Sequence, residues 1–295
     1  MLHESNAVPA RPVALSDVDL CVASRGFETI TIAFEGSVEH GDSVGNSDII
    51  HPGDVQWMTA GRGIIHEEYH SSAFAKHGGT FEMCQLWLNL PAEHKMHAPR
   101  YQPILNANIP TVALREAATA AAAHEGAPAC EAVDSEGDNE TDLADGARGV
   151  AGSPSDAKGS ARVIAGELDG TVGPATTFSP VELFDISLPR VSELVELSLP
   201  AGHTALLFVR KGELAVGGGA GSEDAQQVVG AQGVALMEKA GSVVRMAARK
   251  VDTQVLLLGG APLNEPIAAR GPFVMNTEQE LMQANLDFRS GRMGR

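Results

Sequence analysis

Apolar and β-branched residues alternate with polar ones in short runs along most of this chain. Residues 29–34 read TITIAF, the period of a half-buried strand, and Gly36 closes the run ahead of the turn-like Gly41-Asp42-Ser43. Residues 48–50, 55–58 and 64–66 predict further short strands, parted by the turns His51-Pro52-Gly53-Asp54 and Ala60-Gly61-Arg62-Gly63. Residues 83–90 (MCQLWLNL) set Met83, Gln85, Trp87 and Asn89 on one face and Cys84, Leu86, Leu88 and Leu90 on the other, before Pro91 ends the strand. Short strands at this spacing predict a barrel or sandwich.

The second half carries the same signature at residues 161–166, 181–186, 194–199, 205–209 and 255–258. It also repeats the first half. Ile32-Ala33-Phe34-Glu35-Gly36 aligns with Phe208-Val209-Arg210-Lys211-Gly212, and Gly53-Asp54-Val55 with Gly233-Val234-Ala235. Ala60-Gly61 followed by Ile64-Ile65-His66 matches Ala240-Gly241 followed by Val243-Val244-Arg245. Two copies of one barrel are implied. This alignment sets Arg245 against His66 and Ala247 against Glu68, which reads as a structural second copy.

Near the C-terminus, Thr277 with Glu280 has capping-box form, and Leu281, Ala284, Leu286 and Phe288 supply an apolar stripe, so a terminal helix docking on a barrel is expected. Residues 116–160 shift to Ala, Gly, Ser, Asp and Glu, with AATAAAA at 117–123 and an acidic stretch at 131–145. Too few large apolar side chains remain there to offset the entropy of ordering. The expected organisation is all-β: a first barrel over residues 1–115, an acidic low-complexity linker over 116–160, and a second barrel with the terminal helix over 161–295.

Composition narrows the function classes. A length of 295 residues suits two modest cores. The net charge of −17, without a Lys/Arg-rich run, excludes unaided binding to a phosphate backbone. Cys21, Cys84 and Cys130 are scattered, which fits a reducing compartment and excludes a zinc ribbon. No apolar run reaches the roughly 20 residues of a membrane span, and the N-terminus MLHESNAVPARP lacks the features of a secretion signal. The expectation is an intracellular monomer, in cytoplasm or nucleus, with no membrane or nucleic-acid contact.

Chemistry concentrates in Gly61-Arg62-Gly63-Ile64-Ile65-His66-Glu67-Glu68-Tyr69-His70. Strand alternation puts His66, Glu68 and His70 on one face, and residues i and i+2 lie roughly 6.6 Å apart, so His66 and Glu68 can converge on one ion while His70 lies too far along. By spacing alone, H-x-E equally describes two polar residues at a strand end. His40 and His51 are read as structural rather than as ligands, and His203 as part of a turn. Trp57, Met58, Gln85 and Trp87 are read as barrel packing.

Several of these segments together resemble the pirin family. The matching runs are Arg25-Gly26-Phe27-Glu28-Thr29, Val38-Glu39-His40 with Asp42-Ser43, and Pro52-Gly53-Asp54-Val55-Gln56-Trp57-Met58-Thr59-Ala60-Gly61-Arg62-Gly63-Ile64-Ile65-His66 with Glu68. Gln85-Leu86-Trp87, Pro99-Arg100-Tyr101-Gln102 and Gly271-Pro272-Phe273-Val274-Met275-Asn276-Thr277 extend the likeness over nearly everything outside the acidic insert and the extreme N-terminus. The resemblance implies a bicupin, two tandem cupin-type β-barrels, whose first barrel holds one non-haem iron on three histidines and one glutamate. His66 and Glu68 match two of those ligands, and Glu68 would be the catalytic base. The other two belong to an H-P-H before R-G-F-E, where this chain has Val22, Ala23 and Ser24. His66 and Glu68 alone should hold iron poorly. The chain also begins where a pirin would have passed its first strands, which reads as a shortened or misassigned start or as divergence to a metal-free member.

The same resemblance implies three functions. The first is a binding or regulatory role toward transcription regulators, with a weakened or lost iron site, and the acidic surface favours it. The second is an iron-dependent oxygenase of the quercetin 2,3-dioxygenase type acting on a flavonol-like molecule, with Gln85 or Trp87 lining its pocket. The third is a metal-free scaffold.

Overall fold

The computed structural model describes residues 2–8 as backbone, and residues 22–115, 157–191, 194–217, 226–239 and 241–294. Residues 116–156, nearly the whole of the acidic insert, lie outside the described residues. The first half forms β1 (Leu2–Val8), β2 (Val22–Ser24), β3 (Phe27–Glu35), β4 (Val38–Asp42) and β5 (Ser47–Ile50). It continues with β6 (Val55–Thr59), β7 (Ile64–His70), helix α1 (Ser72–His77), β8 (Gly79–Asn89), β9 (Arg100–Ile104) and β10 (Thr111–Leu114). The second half opens with β11 (Gly159–Ala165), β12 (Glu167–Leu168), β13 (Thr171–Val172), β14 (Val181–Leu188), β15 (Val195–Ser198), β16 (Thr204–Lys211) and β17 (Glu213–Val216). There follow β18 (Gln227–Gly230), β19 (Val234–Leu236), β20 (Val243–Ala248), β21 (Thr253–Gly260), β22 (Ala268–Arg270), β23 (Phe273–Met275) and α2 (Glu278–Arg289).

Each half is a pair of facing sheets. The first combines β1-β8-β3-β6-β9 with β2-β7-β4-β5, and the second β10-β11-β14-β21-β16-β19 with β15-β20-β17-β18. Their interiors differ in chemistry. Leu207, Leu214, Val216, Val244, Met246 and Leu257 belong to a wholly apolar core inside the second barrel. Inside the first, Thr31, Gln56, Gln85, His40 and Glu68 bond one another.

Strand pairing fixes which positions correspond. Thr31 has Gln56 and Gln85 as cross-strand neighbours, and Leu207 has Ala235 and Leu257 in the same places. His40 pairs with Glu68 as Val216 pairs with Met246. His66 therefore corresponds to Val244, not to the Arg245 chosen by the sequence alignment, and Glu68 corresponds to Met246, not Ala247. A slip of one residue exchanges the faces of a strand. Arg245 bonds Glu196 across the strands at 2.5 Å, whereas Val244 and Met246 lie in the core.

The barrels pack sheet against sheet. Ile30, Ile32, Trp57 and Leu86 of the first meet Ile164, Leu183, Phe208 and Leu256 of the second in one buried cluster. Trp57 is wholly buried, but it lies between the barrels rather than inside the first. An ionic network edges this contact. Arg210 donates to Glu82 at 2.5 Å and lies 3.6 Å from Asp185, Lys211 reaches Glu82 at 2.7 Å, and Arg162 reaches Asp185 at 3.0 Å.

The halves also trade end segments. β10 joins the sheet of the second barrel through β11, while the C-terminal tail returns to the first. Thr277 and Glu280 cap α2 reciprocally, as the sequence pattern predicts. Leu281 and Ala284 are buried with Ala23, Phe273 and Met293, but Leu286 and Phe288 are exposed, so the apolar stripe is narrower than its pattern suggests. Arg25 Nη1 donates to Asp287 at 2.8 Å, and Lys95 Nζ donates to Gly26 O, Asn89 Oδ1 and Val274 O at 2.8, 2.6 and 2.9 Å. Gly26, at φ +85°, is required here: a β-carbon would stand 2.0 Å from Val274 O. Among the described residues no helix is long and apolar enough to cross a membrane.

Candidate metal centre

β7 turns His66 and Glu68 to one face, and the antiparallel pairing of β4 brings His40 directly opposite Glu68. One donor atom from each of His40, His66 and Glu68 lies within 4.8 Å of the others. His66 Nδ1 is buried and has no hydrogen-bond partner, while its Nε2 lies 3.3 Å from Ser24 Oγ. Two imidazoles and one carboxylate with a free buried lone pair suit a divalent cation, and such sets with open positions are typical of non-haem iron(II). The residues present therefore fit a metal.

The surroundings orient each donor. His40 is fully buried, with Nε2 3.4 Å from Asp42 Oδ2 and its ring stacked on Tyr101 at 4.9 Å. A carboxylate behind an imidazole fixes its tautomer and leaves the other nitrogen, Nδ1, facing the site. Gln56 Nε2 contacts both His40 Nδ1 at 3.1 Å and Glu68 Oε1 at 2.5 Å, and Gln85 Nε2 donates to Glu68 Oε2 at 2.6 Å. Tyr101 OH donates to Asp48 at 3.2 Å and lies 3.4 Å from Gln56 Oε1. Burial and the Asp48 carboxylate push the Tyr101 phenol up, so it remains a donor.

Electrostatics set the protonation states a cation requires. Burial alone would raise the Glu68 carboxyl, but contacts with His40, the nearby His66 ring and the Gln56 amide outweigh it, and the pKa is lowered. Burial lowers His66, with Glu68 opposing only in part. A neutral imidazole and an ionised carboxylate are the ligating forms.

The structure brings together His66 and Glu68 and adds His40, which the sequence reading set aside as structural. His51 stays at the exposed turn, and His70 packs against Phe74 and Phe81 instead of joining the cluster. Met58 is buried, Gln85 is a Glu68 partner rather than packing, and Trp87 is half exposed, its ring 4.5 Å from Phe27. Val22 lies directly opposite His66 across β2 and β7, and Ser24 faces the same interior. His203 belongs to a turn, its backbone N–H reaching Pro200 O at 3.3 Å, and its ring also bonds Glu182 at 2.9 Å.

Two tandem β-barrels, one polar inside with a histidine–carboxylate donor set that could hold a metal and one apolar, define a bicupin. The chain matches the Pirin family model over residues 21–88 and the Pirin C-terminal cupin domain over residues 183–294. It is 41% identical over 268 residues to a Pseudomonas aeruginosa protein that bears the provisional name quercetin 2,3-dioxygenase, covering 91% of this chain and 76% of that one. It is 31% identical over 271 residues to human pirin, covering 92% of this chain and 76% of its relative. A crystal structure of quercetin 2,3-dioxygenase from Acinetobacter baumannii superposes with a TM-score of 0.72 at 39% identity, covering 92% of this chain and 77% of that one. The chain belongs to the pirin family.

Proposed function

We propose that this pirin holds non-haem iron(II) on His40, His66 and Glu68 and acts as an oxygenase of the quercetin 2,3-dioxygenase type. The convergence of those donors within 4.8 Å, inside a barrel whose twin is apolar, carries the reading. Relatives that bear the name of that activity, among them two at 41% and 39% identity, support it.

Bound iron would supply Lewis acidity and redox reactivity toward dioxygen. The chain supplies the rest. A Glu68 carboxylate oxygen accepts the proton of the substrate hydroxyl. Gln56 and Gln85 hold that carboxylate from both sides, and the half-exposed Trp87, backed by the buried Phe27, offers an aromatic face for a flat ring. Val22 and Ser24 occupy the places of the two histidines implied by the family resemblance, so the centre has three protein ligands and holds metal less tightly than a four-ligand site. The net charge of −17 favours a second reading, in which the metal tunes docking on basic protein partners such as transcription regulators.

Anaerobic iron(II) titration of the purified chain tests the centre, with oxygen uptake in the presence of quercetin as the second readout. One equivalent is expected to bind, and His40→Ala and His66→Ala should each weaken it at least tenfold and suppress uptake. Parent-like binding by His40→Ala would refute the three-ligand centre. Full iron loading without quercetin-dependent uptake would transfer the case to the partner-docking reading.

A further inference from the structure

We infer that the mouth of the second barrel is a separate small-molecule site that takes a neutral hydroxylated aromatic. A cavity of about 500 Å³ opens there, lined among others by Ala205, Val216, Ala235, Val244 and His203. That size lies within the roughly 300–1,000 Å³ of ordinary ligand pockets.

The place is not arbitrary. By strand pairing, Ala205, Val216, Ala235 and Val244 stand where the first barrel has Thr29, His40, Gln56 and His66. At each of these four positions the second barrel carries a smaller apolar side chain, although Glu68 itself gives way to Met246, which is no smaller. The exchange continues at the rim, where Gly259 pairs with Ala205 as Trp87 pairs with Thr29. A β-carbon at Gly259 would come within 2.6 Å of Glu182 Oε2, so the glycine makes room for that carboxylate. Glu182 is 4% exposed and lies 2.9 Å from His203 Nδ1.

The ligand class follows from these groups. The carboxylate can only accept, so His203 Nδ1 donates to it, which leaves Nε2 as the ring atom open to a ligand's hydroxyl. Small apolar side chains at Ala205, Val216, Ala235 and Val244, with His203, Gln227 and Ser242 as polar groups on the same lining, suit a flat ring bearing a hydroxyl. Glu238 and Arg245 both line the cavity, so its charged side chains offset one another and a neutral ligand is favoured. None of these residues belongs to the metal centre, so the site stands whether or not iron binds.

The probe is 2-naphthol, titrated into the full chain and followed by calorimetry and by NMR of the histidine rings, with the His203 signal assigned from His203→Gln. Saturable binding is expected, with the His203 ring signals moving and with the same affinity in His66→Ala. Val216→Phe, which fills the cavity, should weaken it at least tenfold. 2-Methoxynaphthalene, which has no proton to donate, should bind about five- to tenfold more weakly. The histidine spectra of the parent chain decide the matter even if Val216→Phe does not fold. Absence of saturable binding, or binding that leaves His203 still and disappears in His66→Ala, would overturn the site. Equal affinity for the methyl ether would overturn the ligand class.

Discussion

Arg210→Met tests how firmly the barrel with the candidate metal centre depends on its neighbour. The guanidinium is 6% exposed, lies 2.5 Å from a Glu82 side chain that is 1% exposed, and sits 3.4 Å above the Phe34 ring. Removing one partner of a buried ion pair costs roughly 3–5 kcal/mol, because the other charge is stranded. Glu82 keeps Lys211 at 2.7 Å and Asp185 keeps Arg162 at 3.0 Å, so neither is fully stranded and the lower part of that range applies. Loss of the cation–π contact adds about 1 kcal/mol, for a total of about 3–4 kcal/mol. Urea unfolding followed by tryptophan fluorescence reads this directly, since Trp57 is buried between the barrels. The loss should persist in about 1 M salt, where exposed pairs are screened, and a cycle with Glu82→Gln should show coupling. A loss below about 1 kcal/mol, or one abolished by salt, would show that apolar contact alone joins the barrels.

Further outcomes concern the first barrel and its clasp. Val22→His with Ser24→His places two more imidazoles beside His66, so iron affinity should rise at least tenfold over the parent, and less for either change alone; a flat calorimetric comparison would mean that β2 does not face the centre. The hydrogen bond from Arg25 draws Asp287 down to about 2 from an ordinary 3.8. A depressed carboxyl stabilises fully above its unfolded value and loses that contribution as pH falls through the folded one. Hydrogen-exchange protection of α2 should therefore fall between about pH 4 and pH 2, and Asp287→Asn should flatten that dependence; identical profiles would remove the Arg25–Asp287 pair from the account.

Local pattern carried much of the fold. Alternation in residues 83–90 correctly parts Gln85 from Cys84, and the Thr277–Glu280 spacing announces the cap of α2. It also sets His66 beside Glu68. His40 escaped because its role depends on the register of β4 against β7, a tertiary property, although alternation from Val38 already placed it on an inward face. The same dependence misled the repeat alignment, since glycine turns align copies only to within a residue and one residue reverses a strand. Gln85 was read as packing, and Gln56 drew no reading, because an amide's partners are visible only in three dimensions. Trp57 alternates correctly, but no local signal says that the outer face of its sheet is covered by a second barrel.

The returning tail bears on how such a duplicated chain ages. Once one copy has lost its metal ligands, mutation should be free to erode it, or to delete it, without penalty to chemistry. Here the ligand-free copy supplies the strand and helix that lie along Arg25 and Gly26, immediately after the Ser24 that touches His66. Its loss would unclasp the strand that borders the other copy's centre. Inheritance therefore keeps the barrels as a pair, and lesions in residues 268–294 should surface as faults of a site more than two hundred positions earlier in the chain.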